Sequence, residues 1–384
     1  MRRLVVLVAA IVLVDTMFYA AVVPLLPYYS HHFDLSKSAA GLLAASYAAG
    51  TLIGSIPAGW LAARIGPRNA VLAGLSMMIV SSVAFGFAQS IVALDVARFV
   101  QGVGGAASWA AGLAWLMARA PANRRAELIG TALAAAIAGG LLGPVLGTAA
   151  TQTSPKLVFS MVGLLGLVLC AWTLTEKGPA PSHGEGFAAF RPAFRNGPVR
   201  AGMWLTTLGA LLFGTLGVLA PLRMDHLGAS SVAIGAAFLV SAGCAAASSP
   251  IVGRFSDRRG WREPVLLGLC ASAFWVILLP IPESPALLFL LIVIADPFFG
   301  LSYPSAGALI SSGAEHVGLA QGYAFALFNI AWASGQVIGE AGSAGLAQAT
   351  SDAVPYALLC ALCVATAMAV HRRGPRAAPA SQLS

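Results

Sequence analysis

Gly59-Trp60-Leu61-Ala62-Ala63-Arg64-Ile65-Gly66-Pro67-Arg68 forms a short basic turn between two long apolar runs, near Ser38–Ala62 and Asn69–Ala88. Each run has the roughly 20 predominantly apolar residues that a bilayer's hydrocarbon core requires of a helix. The glycines permit a tight reversal, and the arginines hold the turn at a membrane face. The alternation continues outward to both ends of the chain. The remaining first-half runs lie near Leu4–Pro27, Ile91–Met117, Leu128–Thr151 and Leu157–Thr175. Those of the second half lie near Ala201–Leu222, Ser231–Val252, Pro264–Ile281, Pro285–Ile310, Leu319–Ala341 and Ala353–Val370. The expected fold is an all-α integral membrane protein with twelve transmembrane helices.

Composition agrees. Of 384 residues, 58% are hydrophobic and only 9% charged, with a mean hydropathy of +0.83. Soluble domains carry about 25% charged residues, so a soluble fold of this size would lack the ionic groups to cover its surface. A disordered chain, a disulfide scaffold and a nucleic-acid binder are disfavoured. The net charge of +8 follows the membrane instead. With both termini in the cytoplasm, eighteen of the 22 basic residues fall on the cytoplasmic side: Arg2, Arg3, Arg64, Arg68, Arg119, Arg124, Arg125, Lys177, Arg191, Arg195, Arg200, Arg254, Arg258, Arg259, Arg262, Arg372, Arg373 and Arg376. Such a bias is the positive-inside pattern, because one miscounted helix would invert every later loop. The expected location is the plasma membrane, where the basic loops meet anionic lipid. The first run is too long for a signal peptide and contains Asp15, so it is read as helix 1. The cysteines lie in spans, and the Cys360-x-x-Cys363 pair has no accompanying thiol or histidine cluster.

The polar stretch 176–200, rich in Pro, Gly and Arg, divides the chain into six-helix bundles at 1–175 and 201–384. Two echoes at nearly one offset point to duplication. Gly59 to Gly66 resembles Gly253-Arg-Phe-Ser-Asp257-Arg258-Arg-Gly260, and Gly139-xxx-Gly143-Pro144 resembles Gly335-xxx-Gly339-Glu340.

These motifs resemble the major facilitator superfamily, and within it the twelve-helix drug:proton antiporters. Gly59-xxxx-Arg64-x-Gly66-x-Arg68 is similar to the family's signature loop after helix 2, with Ala63 where the family has Asp; the second copy keeps the acid as Asp257-Arg258. Arg98-xx-Gln101-Gly102 resembles a motif associated with proton coupling. Gly130, Gly139, Gly143-Pro144 and Gly147 resemble the exporters' helix 5 pattern, with Thr148 in place of its last glycine. Helix 1, with Val14-Asp15-Thr16-Met17-Phe18-Tyr19 and Pro24 and Pro27, is similar to that of drug:proton antiporters and vesicular amine transporters. Asp296 stands at a depth like one of their membrane acids, whereas Asn329 occupies the place of another. The resemblance implies a monomeric secondary transporter that works by alternating access. It implies no cofactor beyond a proton gradient, and gating roles for the motif residues of helices 2, 5 and 8.

Asp15, Arg98 and Asp296 are charges within spans. Each costs about 2.5–3.5 kcal/mol at a helix centre on insertion scales, so they face one another or a wet cavity, either as a static ion pair or as functional groups. Asp15, Phe18, Tyr19 and Val22 share a face by the i, i+3, i+4, i+7 rule, and a carboxylate beside aromatic rings suits an amphiphilic cation. Phe18, Tyr19, Gln101, Tyr303, Asn329 and Trp332 are the candidate substrate-binding residues. Movement of Arg98 relative to Asp15 would toggle the acid between protonated and charged forms. Glu340 is placed near the outer end of helix 11, as a gate, a cation ligand or a wet surface group; Asp95 is read as solvated. The expected function is proton-coupled export of a small amphiphilic compound. One alternative is a sugar or metabolite exporter of the same fold, using Gln101, Asn329 and Gln336; another is a membrane sensor without transport. No nucleophile triad, membrane-facing His cluster or phosphate loop points to an enzyme.

Overall fold

The computed structural model describes residues 1–120, 125–179, 190–319 and 321–372. Arg124, Arg373 and Arg376 lie outside the described residues, as do the side chains of Arg125, Gly253, Arg254, Asp257, Arg258 and Arg259. The described chain is helical: α1 (Arg2–Ala20), α2 (Val22–Phe33), α3 (Lys37–Ile65), α4 (Pro67–Phe87), α5 (Ile91–Arg119), α6 (Arg125–Gln152), α7 (Pro155–Thr175), the short α8 (Phe190–Arg195), α9 (Gly197–His226), α10 (Ser231–Arg259), α11 (Arg262–Leu278), α12 (Pro285–Phe299), α13 (Tyr303–His316), α14 (Gln321–Val337), a π-helical turn (Ile338–Gly342), α15 (Ser343–Ala349) and α16 (Ala353–Arg372). Ten helical stretches are long and apolar enough to cross a membrane, counting α1–α2 and α12–α13 as one each. The 17-residue α11 and the rod made of α14, the π turn and α15 complete twelve spans.

Local chemistry sets most ends. Ser36, Ser90, Asn196, Ser230 and Ser284 stand at N-caps and accept hydrogen bonds from the backbone N–H three residues on, satisfying donors that a helix start leaves open. Pro67, Pro155 and Pro285 occupy first-turn positions, where a missing N–H is harmless. Gly66 turns the chain between α3 and α4 at φ 87°, and Arg68 beside it donates to the carbonyls of Thr173 (3.2 Å) and Leu174 (2.6 Å) at the end of α7. Three spans depart from the runs expected from hydropathy. The first reaches from Arg2 to Phe33 and breaks at Ala21, because Pro24 has no N–H for the Ala20 carbonyl. The tenth breaks between Phe299 and Tyr303, just after Pro297. The eleventh continues past Ala341 to Ala349 through the π turn.

The same pairings build both sets of six. The first span packs on the fifth as the seventh packs on the eleventh, the second on the fourth as the eighth on the tenth, and the third on the sixth as the ninth on the twelfth. Each set has its own apolar core, around Phe18, Phe85 and Phe159 in one and Leu269, Ile292 and Phe299 in the other. The small-residue stripes explain how close the first pairing is. A Cβ on Gly143 would lie 2.9 Å from the Ala20 carbonyl carbon and 3.0 Å from the Met17 oxygen, and one on Gly147 would lie 2.6 Å from Pro24. In the repeat, a Cβ on Gly339 would lie 2.6 Å from the Leu211 oxygen of α9. Helix backbones approach this closely only where side chains are missing.

The two sets meet chiefly through α3 against α14–α15 and α6 against α10, with α2 on α9. At the membrane face opposite the N-terminus, polar contacts join them. Lys37 Nζ lies 2.5 Å from Asp352, His31 2.7 Å from Asp225, and the Ser38 N–H donates to Gln348 at 2.8 Å. Gln152 donates to Ser231 at 3.0 Å. This end of the protein is closed.

Replacing Gly143 with Val forces α6 away from α1 at an overpacking cost of about 1–3 kcal/mol, so the melting temperature in detergent falls by several degrees. Gly130→Ala is the control: no atom lies within 4 Å of the added carbon, and its melting curve overlays that of the wild type.

Candidate substrate cavity

Three spans carry an acid at or near an irregularity. Asp15 lies one and a half turns before the break in α1–α2, Asp296 immediately precedes Pro297, and Glu340 sits inside the π turn. Discontinuities of this kind turn side chains and backbone groups toward a cavity rather than toward lipid. All three acids line one cavity of about 410 Å³ between the two sets of helices. Its walls are mostly apolar and aromatic, and include Tyr19, Tyr47, Trp109, Phe213, Tyr303, Phe325, Phe328 and Trp332.

Asp15 is 1% exposed. Its Oδ2 accepts hydrogen bonds from Tyr47 Oη at 2.8 Å and Trp109 Nε1 at 3.2 Å. Its Oδ1 is buried without a partner, and a Cβ at Gly105 would lie 2.7 Å from it. Gly105 thus leaves room for the carboxyl group. Two donors on one oxygen fix the plane of the group and leave the other oxygen as the place for a proton.

Arg98 is also 1% exposed, but the charge partner expected for it is absent: among the described residues it forms no ion pair with a carboxylate. One terminal nitrogen donates to the Phe18 carbonyl at 3.3 Å and to Gln101 Oε1 at 2.9 Å, and the other to the Tyr19 carbonyl at 3.2 Å. The guanidinium lies 5.2 Å from the Tyr47 ring centroid and 5.8 Å from that of Tyr19. Arg98 therefore serves the carbonyls beside the α1–α2 break.

In the second set, Asp296 is 8% exposed and accepts from Ser241 Oγ at 2.5 Å. Glu340 is 5% exposed. Tyr19 Oη donates to its Oε1 across 3.4 Å and accepts from Gln336 Nε2 at 2.7 Å, so one hydroxyl joins the two sets at mid-membrane. Aromatic contacts continue the joint. Tyr19 and Trp332 meet edge to face at 5.5 Å, and Trp109 stacks on Phe325 at 5.7 Å.

Of the residues singled out in the sequence, Asp15, Tyr19, Asp296, Tyr303, Asn329 and Trp332 come together around this cavity. Phe18 does not: Thr16, Tyr19 and Ala20 extend the cavity face to one side of Asp15, and Phe18 turns the other way, 4.9 Å from the Phe159 ring. Gln101 is fully buried behind the wall as the partner of Arg98. The glycine stripe Gly139, Gly143 and Gly147 faces the first span. Arg64 lies 5.0 Å over the Trp60 ring, and a side chain added at Gly59 would enter open space. Asp95 is half-buried rather than solvated. Sequence reasoning passed over Tyr47 and Trp109. Trp109 follows Arg98 and Gly105 at eleven- and four-residue steps on one helix face, which is a usable signal; Tyr47 has no such marker in its run of small residues. Glu340 lies beside Gly41, near the outer start of α3, and it lines the cavity there.

The sequence pattern of the Major Facilitator Superfamily matches residues 8–378. Among curated proteins, the synaptic vesicular amine transporter of Homo sapiens is 26% identical over 330 residues, covering 80% of this chain and 61% of that protein. The MFS-type transporter ppzB of Metarhizium rileyi is 34% identical over 138 residues, covering 35% of this chain and 29% of the relative. The chain thus spans less than two thirds of the curated relatives it matches. Among solved structures, a POT family transporter in complex with 5-aminolevulinic acid superposes with a TM-score of 0.78 at 14% identity, covering 98% of this chain and 96% of that one. The xylose transporter XylE from E. coli, in a partially occluded inward open conformation, superposes with a TM-score of 0.76 at 13% identity, covering 97% of each chain. At such identities the structural likeness establishes the fold.

Arg98→Met removes the donors that serve the Phe18 and Tyr19 carbonyls. With about 1–3 kcal/mol lost for buried groups left unsatisfied, the variant melts measurably below the wild type in detergent. A carboxylate partner would instead make Asp15→Asn rescue Arg98→Met, and the double variant is expected to melt no higher than Arg98→Met alone.

Proposed function

The chain belongs to the major facilitator superfamily, and from that premise we propose that it is a proton-coupled antiporter that exports a small amphiphilic organic cation. The observation that carries this reading is the charge of the cavity. Asp15, Asp296 and Glu340 all open onto it, while the buried guanidinium of Arg98 is spent on backbone carbonyls and Gln101. Anionic charge in a low-dielectric space must be balanced by a proton or a cationic ligand. Two ligands competing to neutralise one set of acids are thereby exchanged for each other. The aromatic wall adds apolar surface and ring faces, which attract an organic cation. The likeness to synaptic vesicular amine transporters over 80% of the chain supports an amine as the exported class.

Asp15 is the coupling acid in this scheme. Tyr47 and Trp109 hold Oδ2 whether or not Oδ1 carries a proton, so the group changes charge without losing its orientation. The helix sets rock about the cavity and expose it alternately to the two sides. With both termini in the cytoplasm, the orientation that the basic loops support, the closed end of this conformation faces outward and the cavity is poised to load from inside. The reading places the protein in the plasma membrane, working as a monomer among anionic lipids and powered by the proton gradient.

The test uses purified protein in liposomes with an acid interior and an external pH-sensitive dye. Cationic amphiphiles are expected to trigger proton release, and neutral and anionic ones to leave the dye unchanged. Asp15→Asn is expected to reduce the response at least tenfold. Proton release by the variant at the wild-type rate would remove Asp15 from this role, and a response to neutral sugars alone would replace the cation reading.

A further inference from the structure

The three acids of the cavity differ in how fully their oxygens are satisfied. Asp15 has two donors on Oδ2 and none on Oδ1, and Asp296 has the Ser241 hydroxyl at 2.5 Å. Glu340 has only the Tyr19 hydroxyl, at 3.4 Å, on Oε1 and no partner on Oε2. A hydroxyl-to-carboxylate hydrogen bond is normally 2.5–2.7 Å long, so this carboxyl group is held loosely although it is 5% exposed. The fold makes room for it. The π turn displaces the helix at Ile338–Gly342, and α9 has Gly214 opposite, where a Cβ would lie 3.2 Å from Glu340 Cγ. Gln336, one turn earlier, is 4% exposed, and its Oε1 also has no partner.

We propose that Glu340 is the site that recognises the substrate's ammonium group, and that it selects cations bearing N–H donors over quaternary ones. The inference rests on the organic-cation reading above and divides its labour: the proton resides on Asp15 in one helix set, and the substrate's charge on Glu340 in the other. The geometry dictates the preference. A buried carboxylate oxygen without a donor is completed by an N–H pointing at it, with charge and hydrogen bond acting together. A trimethylammonium group brings charge but no donor, and its methyl groups hold the nitrogen farther from the oxygen. Tyr19 and Trp332, edge to face at 5.5 Å beside the acid, supply ring surface to either kind of cation. Selection therefore falls to Glu340 rather than to the rings.

The test is calorimetric titration of the full-length protein in detergent, without a pH gradient, using phenethylamine, its trimethylammonium analogue and phenethyl alcohol. Wild type is expected to bind the primary amine about tenfold more tightly than the quaternary analogue, and the alcohol more weakly than either. In Glu340→Gln the primary amine is expected to weaken by about 30-fold, the scale of losing one partner of a buried charge pair, and its advantage over the quaternary ion to shrink below twofold. Glu340→Asp keeps the charge but withdraws it by one methylene; primary-amine affinity falls at least fivefold, which gives the same answer if the Gln variant does not fold. An undiminished primary-over-quaternary preference in Glu340→Gln would overturn the assignment while leaving the organic-cation reading intact. Failure of wild type to bind either cation would overturn both.

Discussion

Inside a bilayer there is no water to take up a free peptide carbonyl, yet the first span of this chain breaks in mid-membrane at Ala21. Pro24 removes the donor of the Ala20 carbonyl. Arg98 donates from α5 to the nearby Phe18 and Tyr19 carbonyls. Much of the site depends on this arrangement. It holds α1 against α5, sets Tyr19 toward the second helix set, and engages the buried guanidinium with backbone. Among the described residues, the acids of the cavity are left without a contact ion pair to Arg98.

The second dependence is on missing side chains. Gly139, Gly143 and Gly147 let α6 lie directly on the first span, and Gly335 and Gly339 let the eleventh span lie on α9 in the same way. The duplication thus preserves a packing relation as well as a motif. Where the copies differ, Pro144 in one stands against Glu340 in the other. A helix that lies this close to its neighbour has little freedom to shift laterally, and the extra residue of the π turn is absorbed by rotating the turn instead. Glu340 lines the cavity from within this turn.

The fold was legible because membrane solvent imposes a coarse code. Apolar runs, loop charges and glycine spacing each report on lipid or on a neighbouring helix, and together they specify twelve spans and their pairing by repeat. The site was legible in part. Asp15 and Asp296 stood out because a charge in an apolar run is costly, and Tyr19 followed from Asp15 by one helical turn. Phe18 was misplaced because the i+3 rule gives a face about 100° wide and the cavity occupies only one side of Asp15. For Arg98 the sequence shows that a charge is buried, but not which backbone carbonyls the guanidinium reaches.

These observations connect closure to loading. The polar contacts that close one end, Lys37 with Asp352 and His31 with Asp225, lie at exposed positions where water weakens them. The joint at mid-membrane, from Tyr19 to Gln336 and Glu340, is buried, and its bonds are felt more strongly there. A change of charge on Glu340 thus bears directly on a buried hydroxyl that joins both helix sets, whereas the surface pairs can exchange with water at little cost. The buried joint and the surface pairs therefore differ in how strongly water competes for them.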